Sequence, residues 1–264
     1  MAFDGIITCA MVKELQDKIY LGKIEKVYQP ENDELVFHIH TKTGNVKLFA
    51  SVGSAHARLH FIEENPKNPP VPLAFCMLLR KHLQGGRIVE ISQKDSERII
   101  EISLETLNEL GFTVSKKLIF EIMGKHSNII FCREDGTIID SIKHVSAQVS
   151  SVREVLPGRS YFIPQTVAKE NPLTVTQETF HQAVGSSSMS VQKALYSHLT
   201  GISPIMAEEI CHLASIDSDY GASELSETEL LHLYHTFSLV MEDVKEGNFA
   251  PAIVFDEGGP VEYA

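Results

Sequence analysis

The chain has 264 residues, 43% of them hydrophobic and 22% charged, with a formal net charge of −12. That length accommodates one large or two ordinary domains, and no apolar run approaches the roughly 20 residues that a membrane span requires. The charge is unevenly placed: residues 1–164 hold 20 Lys+Arg against 20 Asp+Glu, whereas residues 165–264 hold 3 against 15. The first part can therefore carry a basic face, and the last hundred residues are excluded as a broad phosphate-binding surface.

Charged residues at Asp4, Lys13, Glu14, Asp17 and Lys18 do not read as a signal peptide. Residues 8–20 read as an amphipathic helix with Met11, Leu15 and Ile19 on one face. Strands follow at 23–29, 34–41 and 45–51, separated by the turn residues Asn32-Asp33 and Thr43-Gly44. Asn65-Pro-Lys-Asn-Pro-Pro-Val-Pro72 is an extended connector. A helix is predicted over about 73–84, with Met77 and Leu78 as core, and Gly85-Gly86 ends it because glycine tolerates a left-handed cap. Strands then run at about 87–93, 98–105, 116–122, 127–132 and 137–142, with Ile122 in the core and Asp135-Gly136 as a hairpin turn. Leu156-Pro-Gly158 and Ile163-Pro164 mark an exit segment.

From about residue 165 the patterning turns helical, with helices at about 176–184, 190–199, 204–215 and 226–246. Residues 251–264 read as the first arm of a β-hairpin turning at Glu257-Gly-Gly-Pro260. Within the helical part, Ser203 can cap a helix that starts at Pro204, and Gly201 allows a tight turn before it. Two readings stand for this segment. One is a helix-hairpin-helix unit in which Gly201 and Ser203 bring backbone amides to a phosphate, Ser203 replacing the second glycine usual in such hairpins. The other is a plain helical hairpin with Leu195, Leu199, Ile202, Ile205 and Ile210 as core.

Catalytic signatures are missing: there is no GxxxxGK[ST], GxGxxG or GxSxG. Cys9, Cys76, Cys132 and Cys211 form no CxxC, and neither His38-x-His40 nor His232-x-x-His235 has a carboxylate or cysteine pattern beside it, so no metal or cofactor is expected. Four scattered thiols suggest a reducing cytoplasm. Two segments instead join an apolar stretch to a basic tip. Phe75-Cys-Met-Leu-Leu-Arg-Lys-His-Leu-Gln-Gly-Gly-Arg-Ile88 carries Arg80, Lys81, His82 and Arg87, and Phe120-Glu-Ile-Met-Gly-Lys-His-Ser-Asn-Ile-Ile130 carries Lys125, His126, Ser127 and Asn128. Lys143, His144 and Arg153 follow. Each cluster reads either as a solvated face or as an RNA contact, the repeated pairing of Lys or Arg with His at element ends favouring RNA. His126-Ser-Asn128 reads equally as a structural turn.

These two segments together resemble the N-terminal region of the NFACT family (the RqcH, NEMF and FbpA type). The resemblance implies an α+β fold: a β-rich, glycosylase-like (MutM/Fpg-type) N-terminal domain over 1–165, an all-α helix-hairpin-helix domain over 166–249, and the start of a returning hairpin over 250–264. Family members continue into a coiled coil and a second RNA-binding domain, so the chain reads as a fragment. It implies a non-catalytic, cytoplasmic factor of ribosome-associated quality control. Its partners would be tRNA, alanine tRNA in particular, and the large ribosomal subunit holding peptidyl-tRNA, and it would support template-free alanine tailing. An adhesin for fibronectin is the alternative, and a DNA-binding module a further one; no membrane partner is implied. The family's Asp-Arg pair falls on Glu97-Arg98, with glutamate in place of aspartate, and its near-terminal acid falls on Asp4; these are the implied tRNA-binding residues. Where the glycosylase has a proline amine followed by a glutamate, this chain has Ala2 and Phe3, so a shared fold would not bring the base-excision chemistry. The charge split places the salt-dependent part of RNA binding in residues 1–164.

Overall fold

The computed structural model describes residues 3–164 and 168–263. Ala2, and the expected domain boundary at 165/166, lie outside the described residues. The chain divides into two compact units, one of Met11–Lys94 and Ile99–Gln165, the other of Met1–Ala10, Asp95–Arg98 and Thr166–Ala264.

The first unit is built on one antiparallel sheet. Its strands are β1 (Lys23–Tyr28), β2 (Glu34–Thr41), β3 (Gly44–Ser51), β4 (Arg58–Phe61), β5 (Arg87–Gln93), β6 (Ile99–Leu107), β7 (Thr113–Glu121), β8 (Asn128–Arg133) and β9 (Ile138–Ser141). The order β4-β3-β2-β1-β5-β6-β7-β8-β9 consists of two meanders joined where β1 pairs with β5. Alternation makes these segments strands: along β6, Ile100, Ile102, Leu104 and Thr106 are buried while Glu101, Ser103, Glu105 and Leu107 are not. The four-residue β4, held on β3 by pairs from Leu48↔Phe61 to Ser51↔Arg58, has no counterpart in the sequence reading. Phe37 of β2 and Phe120 of β7 meet edge to face with ring centroids 6.2 Å apart. Those strands are four positions apart in the order, about 19 Å in a flat sheet at roughly 4.8 Å per strand. The sheet is therefore rolled, and its inner face makes the core.

Between the meanders lies α2 (Ala74–Leu83), which buries Phe75, Cys76, Leu79 and Leu83. The core expectation for Met77 is corrected. It is 57% exposed, because at 100° per residue it lies on the side of the helix away from Leu79 and Leu83. Gly85 takes the left-handed conformation (φ +85°) foreseen for it, and the Gly85 N–H donates to the Ile24 carbonyl at 2.7 Å, so the helix exit leads straight into the pairing of β5 with β1.

The second unit opens with α1 (Gly5–Ile19), whose first residues belong to it. Its other helices are α3 (Gln177–Phe180), continued by a wider π-type turn over His181–Gly185, then α4 (Val191–His198), α5 (Pro204–Leu213) and α6 (Glu227–Glu246). Capping explains their limits. The Thr176, Ser203 and Ser226 hydroxyls accept backbone N–H groups of α3, α5 and α6, Ser226 and Glu229 complete a reciprocal capping box, and Gly247 closes α6 at φ +73°. Phe180, Leu195, Leu199, Ile202, Ile210, Leu233 and Phe237 form the core, with Ile205 half-buried. A hairpin of β10 (Ile253–Asp256) and β11 (Gly259–Tyr263) follows. No described helix is long and apolar enough to cross a membrane.

Candidate functional site

Asp4, Glu97, Arg98, Gly201 and Ser203 lie far apart in sequence and belong to one unit, the helical one. Asp4 stands just before α1, and its Oδ1 accepts the Ile6 and Ile7 N–H groups at 3.0 and 2.9 Å. That is an N-cap, and it starts the helix three residues earlier than apolar spacing alone predicts. The other carboxylate oxygen accepts the Ser203 hydroxyl at 2.6 Å, while Ser203 Oγ accepts the Met206 N–H at 3.2 Å as the cap of α5. One side chain thus ties together the starts of two helices. Asp4 is only 6% exposed. Burial raises its carboxyl pKa above its ordinary value, opposed by the Ile7 amide, the Ser203 hydroxyl, the Ile6 amide and the charge of Arg98.

The next layer is backbone. The Gly5 N–H donates to the Gly201 carbonyl at 2.8 Å. A Cβ on Gly5 would lie 2.6 Å from Gly201 Cα, one on Gly201 would lie 3.0 Å from Gly5 Cα, and both would run into the Ser96 carbonyl oxygen. Only glycine fits where these three segments cross. Gly201 is left-handed at φ +73°, and so are Asp95 and Ser96, at +46° and +61°. Left-handed backbone costs L-residues about 1–2 kcal/mol each, less for Asp, and persists where surroundings over-determine it. Here the Ser96 hydroxyl donates to Asn171 Oδ1 at 3.0 Å. Asn171 is placed by its neighbour: the Glu170 N–H donates to the His198 carbonyl, and the Thr200 N–H to the Glu170 carbonyl. From this anchored turn Glu97 emerges half-buried and Arg98 exposed. Lys169 is a further charge beside Glu97 and Arg98. Its ammonium donates to the Tyr196 carbonyl at 2.8 Å, and burial lowers its pKa, opposed by Glu97 and reinforced by Arg98.

The expected hairpin phosphate contact takes a different form. The Ser203 hydroxyl both donates and accepts inside the protein, and the anion at the start of α5 is the Asp4 carboxylate. The Ser203 side chain is thereby committed to capping α5 and to Asp4.

The basic tips all belong to the β-rich unit and divide by what they touch. Several hold the fold. The Ser127 hydroxyl accepts the Met123 N–H at 2.7 Å. Asn128 Oδ1 accepts the Ile129 and Lys143 N–H groups and its Nδ2 donates to the Lys143 carbonyl, so the structural-turn reading describes these two buried residues. Arg153 is not an exposed tip: its guanidinium pairs with buried Glu121 and donates to the Phe162 carbonyl at 2.8 Å, and the Tyr161 hydroxyl completes the group on Glu121 at 2.9 Å. Arg80 donates to the Val27 carbonyl at 2.7 Å and lies over the Tyr28 ring. Lys143 Nζ donates to the Val52 carbonyl. Two others have acidic neighbours: Lys81 pairs with Glu109 at 3.1 Å, and His144 Nε2 is hydrogen-bonded to Asp140 Oδ1 at 2.6 Å. The His82 ring packs on Phe131, and burial lowers its pKa, helped by Lys116 and Lys81. Arg87, Lys125 and His126 are exposed. Among the described residues no three potential ligands gather around a metal position.

The sequence model describing NFACT N-terminal and middle domains matches residues 4–264. The chain belongs to this NFACT family. It is 36% identical over 259 residues to "Rqc2 homolog RqcH" of Bacillus subtilis, covering 98% of this chain and 44% of that protein. It is 30% identical over 262 residues to "Archaeal Rqc2 homolog aRqcH" of Methanocaldococcus jannaschii, covering 96% and 37%. The solved N-terminal part of the fibronectin/fibrinogen-binding protein from Streptococcus suis superposes with a TM-score of 0.79 at 33% identity, covering all of this chain and 90% of that one. The chain thus spans less than half the length of the curated relatives it matches.

In this NFACT chain the residues that sequence reasoning missed are the supports: Gly5, Ser96, Lys169 and Asn171. Asp4-Gly5 ahead of an apolar-periodic run is an N-cap signal that could have been read. Asn171-Pro172 signals the local turn in which Asn171 Oδ1 accepts the Leu173 N–H at 3.0 Å, but its bond to Ser96, 75 positions away, has no local signal.

Proposed function

We propose that this chain is the tRNA- and ribosome-binding part of a ribosome-associated quality-control factor. In this reading it helps recruit tRNA, alanine tRNA in particular, to a large subunit that still holds peptidyl-tRNA, for template-free tailing of the stalled chain. It is cytoplasmic and non-catalytic, peptide-bond chemistry remaining with the ribosome. The β-rich unit serves as a glycosylase-like framework and the α4–α5 turn as its helix-hairpin-helix element, which binds through what it supports. The observation that supports the reading is that Asp4, Glu97 and Arg98, the residues the NFACT resemblance implicates, belong to one unit, with Glu97 and Arg98 on an anchored turn and Arg98 near enough for its charge to act on Asp4. Arg98 supplies a planar fork for a phosphate or a base edge, and Glu97 beside it can accept from a base amine.

The test is crosslinking in cells of the full-length protein with sequencing of the bound RNA, for the parent and for Arg98→Ala. We expect tRNA and large-subunit rRNA from the parent, and loss of tRNA from an Arg98→Ala protein that remains folded. Equal tRNA recovery from both would remove Arg98 as the reader. The similarity to the fibronectin/fibrinogen-binding protein from Streptococcus suis favours a second reading, adhesion to fibronectin. Saturable fibronectin binding by a protein that recovers no tRNA would support it.

A further inference from the structure

We infer that Gly201, Gly5 and Ser96 are positioning residues for RNA reading: their crossing sets the direction in which Glu97 and Arg98 leave the turn. The inference rests on the tRNA-binding reading of Arg98 and goes beyond it by assigning the function of residues that carry no charge. Three features point the same way. Gly5 and Gly201 are bonded backbone to backbone and leave no room for a Cβ at either position. The walls of that space are backbone atoms, which cannot move aside as a flexible side chain would. The Ser96 carbonyl closes the space, so any atom added at Gly201 pushes directly on the peptide that precedes Glu97. Asp95 and Ser96 are also both left-handed. A turn of that kind re-aims the following residues when it relaxes, and the bond from Ser96 to Asn171 opposes that relaxation. Asp4 belongs to the same device. Its carboxylate is occupied by two amides and a hydroxyl, so its contribution to RNA binding is to hold α1 against α5 and thereby keep Gly5 on Gly201.

The direction matters because a guanidinium recognises a planar acceptor pair only in a narrow geometry. Displacing the peptide before Glu97 should therefore cost the Arg98 contact even though nothing that touches RNA has been removed. The milder perturbation is Ser96→Gly, which keeps the left-handed backbone at no steric cost but loses the bond to Asn171.

The experiment is a double-mutant cycle read by salt titration. Binding of fluorescently labelled alanine tRNA to the full-length protein is measured between low and physiological salt for the parent, Arg98→Ala, Gly201→Ala, Ser96→Gly, and each of the latter two combined with Arg98→Ala. Circular dichroism melts report folding. The expected result is that Arg98→Ala weakens binding roughly tenfold or more, as for loss of a charge-assisted bond, and reduces the log–log salt slope by about 0.7–0.9. Gly201→Ala and Ser96→Gly should reduce the slope in the same sense although neither removes a charge, and neither should weaken binding further once Arg98 is already alanine. If Arg98→Ala changes nothing, the tRNA reading of this turn is wrong. If Arg98→Ala behaves as expected but folded Ser96→Gly binds like the parent, or its effect simply adds to that of Arg98→Ala, the positioning role is overturned while the tRNA reading survives. Should Gly201→Ala fail to fold, Ser96→Gly decides the question alone.

Discussion

Asp4 carries opposing demands in one side chain. As a cap it accepts two amides and a hydroxyl, which favour the charged form, and as a nearly buried group it has lost the water that favours that form more strongly. Burial wins, so the folded-state pKa lies above its ordinary value of 3.8. A carboxyl whose pKa is raised by folding contributes stability that is fully present below pH 3.8 and lost as pH rises through the folded value. Asn caps a helix about as well as Asp and does not titrate. Asp4→Asn should therefore gain stability relative to the parent as pH rises from about 3.5 to 7, measured by urea unfolding of both proteins across that range. A relative gain by the parent instead would mean that the amides, and not desolvation, set the carboxyl's energy.

At the scale of elements, a buried polar link in the β-rich unit is the group formed by Glu121 at the end of β7, Arg153 and Tyr161. Burial alone would weaken the charged form of Arg153, and the Glu121 carboxylate more than offsets this. The group pins the segment after β9, where Val145 and Val155 also pair, onto the sheet. Arg153→Ala would leave Glu121, 1% exposed, as an uncompensated buried charge. That loss is typically about 3–5 kcal/mol and should lower the urea midpoint accordingly. An effect within about 0.5 kcal/mol, ordinary for surface positions, would show that water reaches Glu121. The sequence could not reveal this: charge and spacing group Arg153 with the basic tips, and neither says which carboxylate a side chain finds 32 residues away.

For the whole molecule, the division into units does not follow the chain. Residues 1–10 and 95–98 belong with the acidic helices, although composition assigns them to the balanced first part. A chain ending at residue 164 would keep Lys125, His126 and Arg87 but lack Gly201, Ser203 and Asn171, which hold the Glu97-Arg98 turn. Both forms should bind tRNA in a salt-dependent manner. With about four phosphates neutralised, the 264-residue chain should show a log–log slope near −3, and the shortened one a slope shallower by roughly 0.7 for each phosphate it no longer neutralises. Salt titrations of the two proteins check this. Equal slopes would mean that the helical unit adds nothing to the electrostatic part of binding.

Local chemistry was legible from the residues themselves. Alternating Ile and polar residues made β6 a strand, Gly85 ended α2, Ser203-Pro204 opened α5, and the charge break was visible in composition, because each of these depends on neighbours within a few positions. The NFACT resemblance named Asp4, Glu97 and Arg98 but said nothing of how they meet. Tertiary structure alone decided that the sheet rolls until Phe37 meets Phe120, that Asp4 caps α1 and binds the Ser203 hydroxyl that caps α5, and that Gly5, Ser96 and Gly201 share a space without room for a Cβ. Such meetings join residues up to about 200 positions apart. They arise from packing and strand register, which no local pattern of side chains encodes.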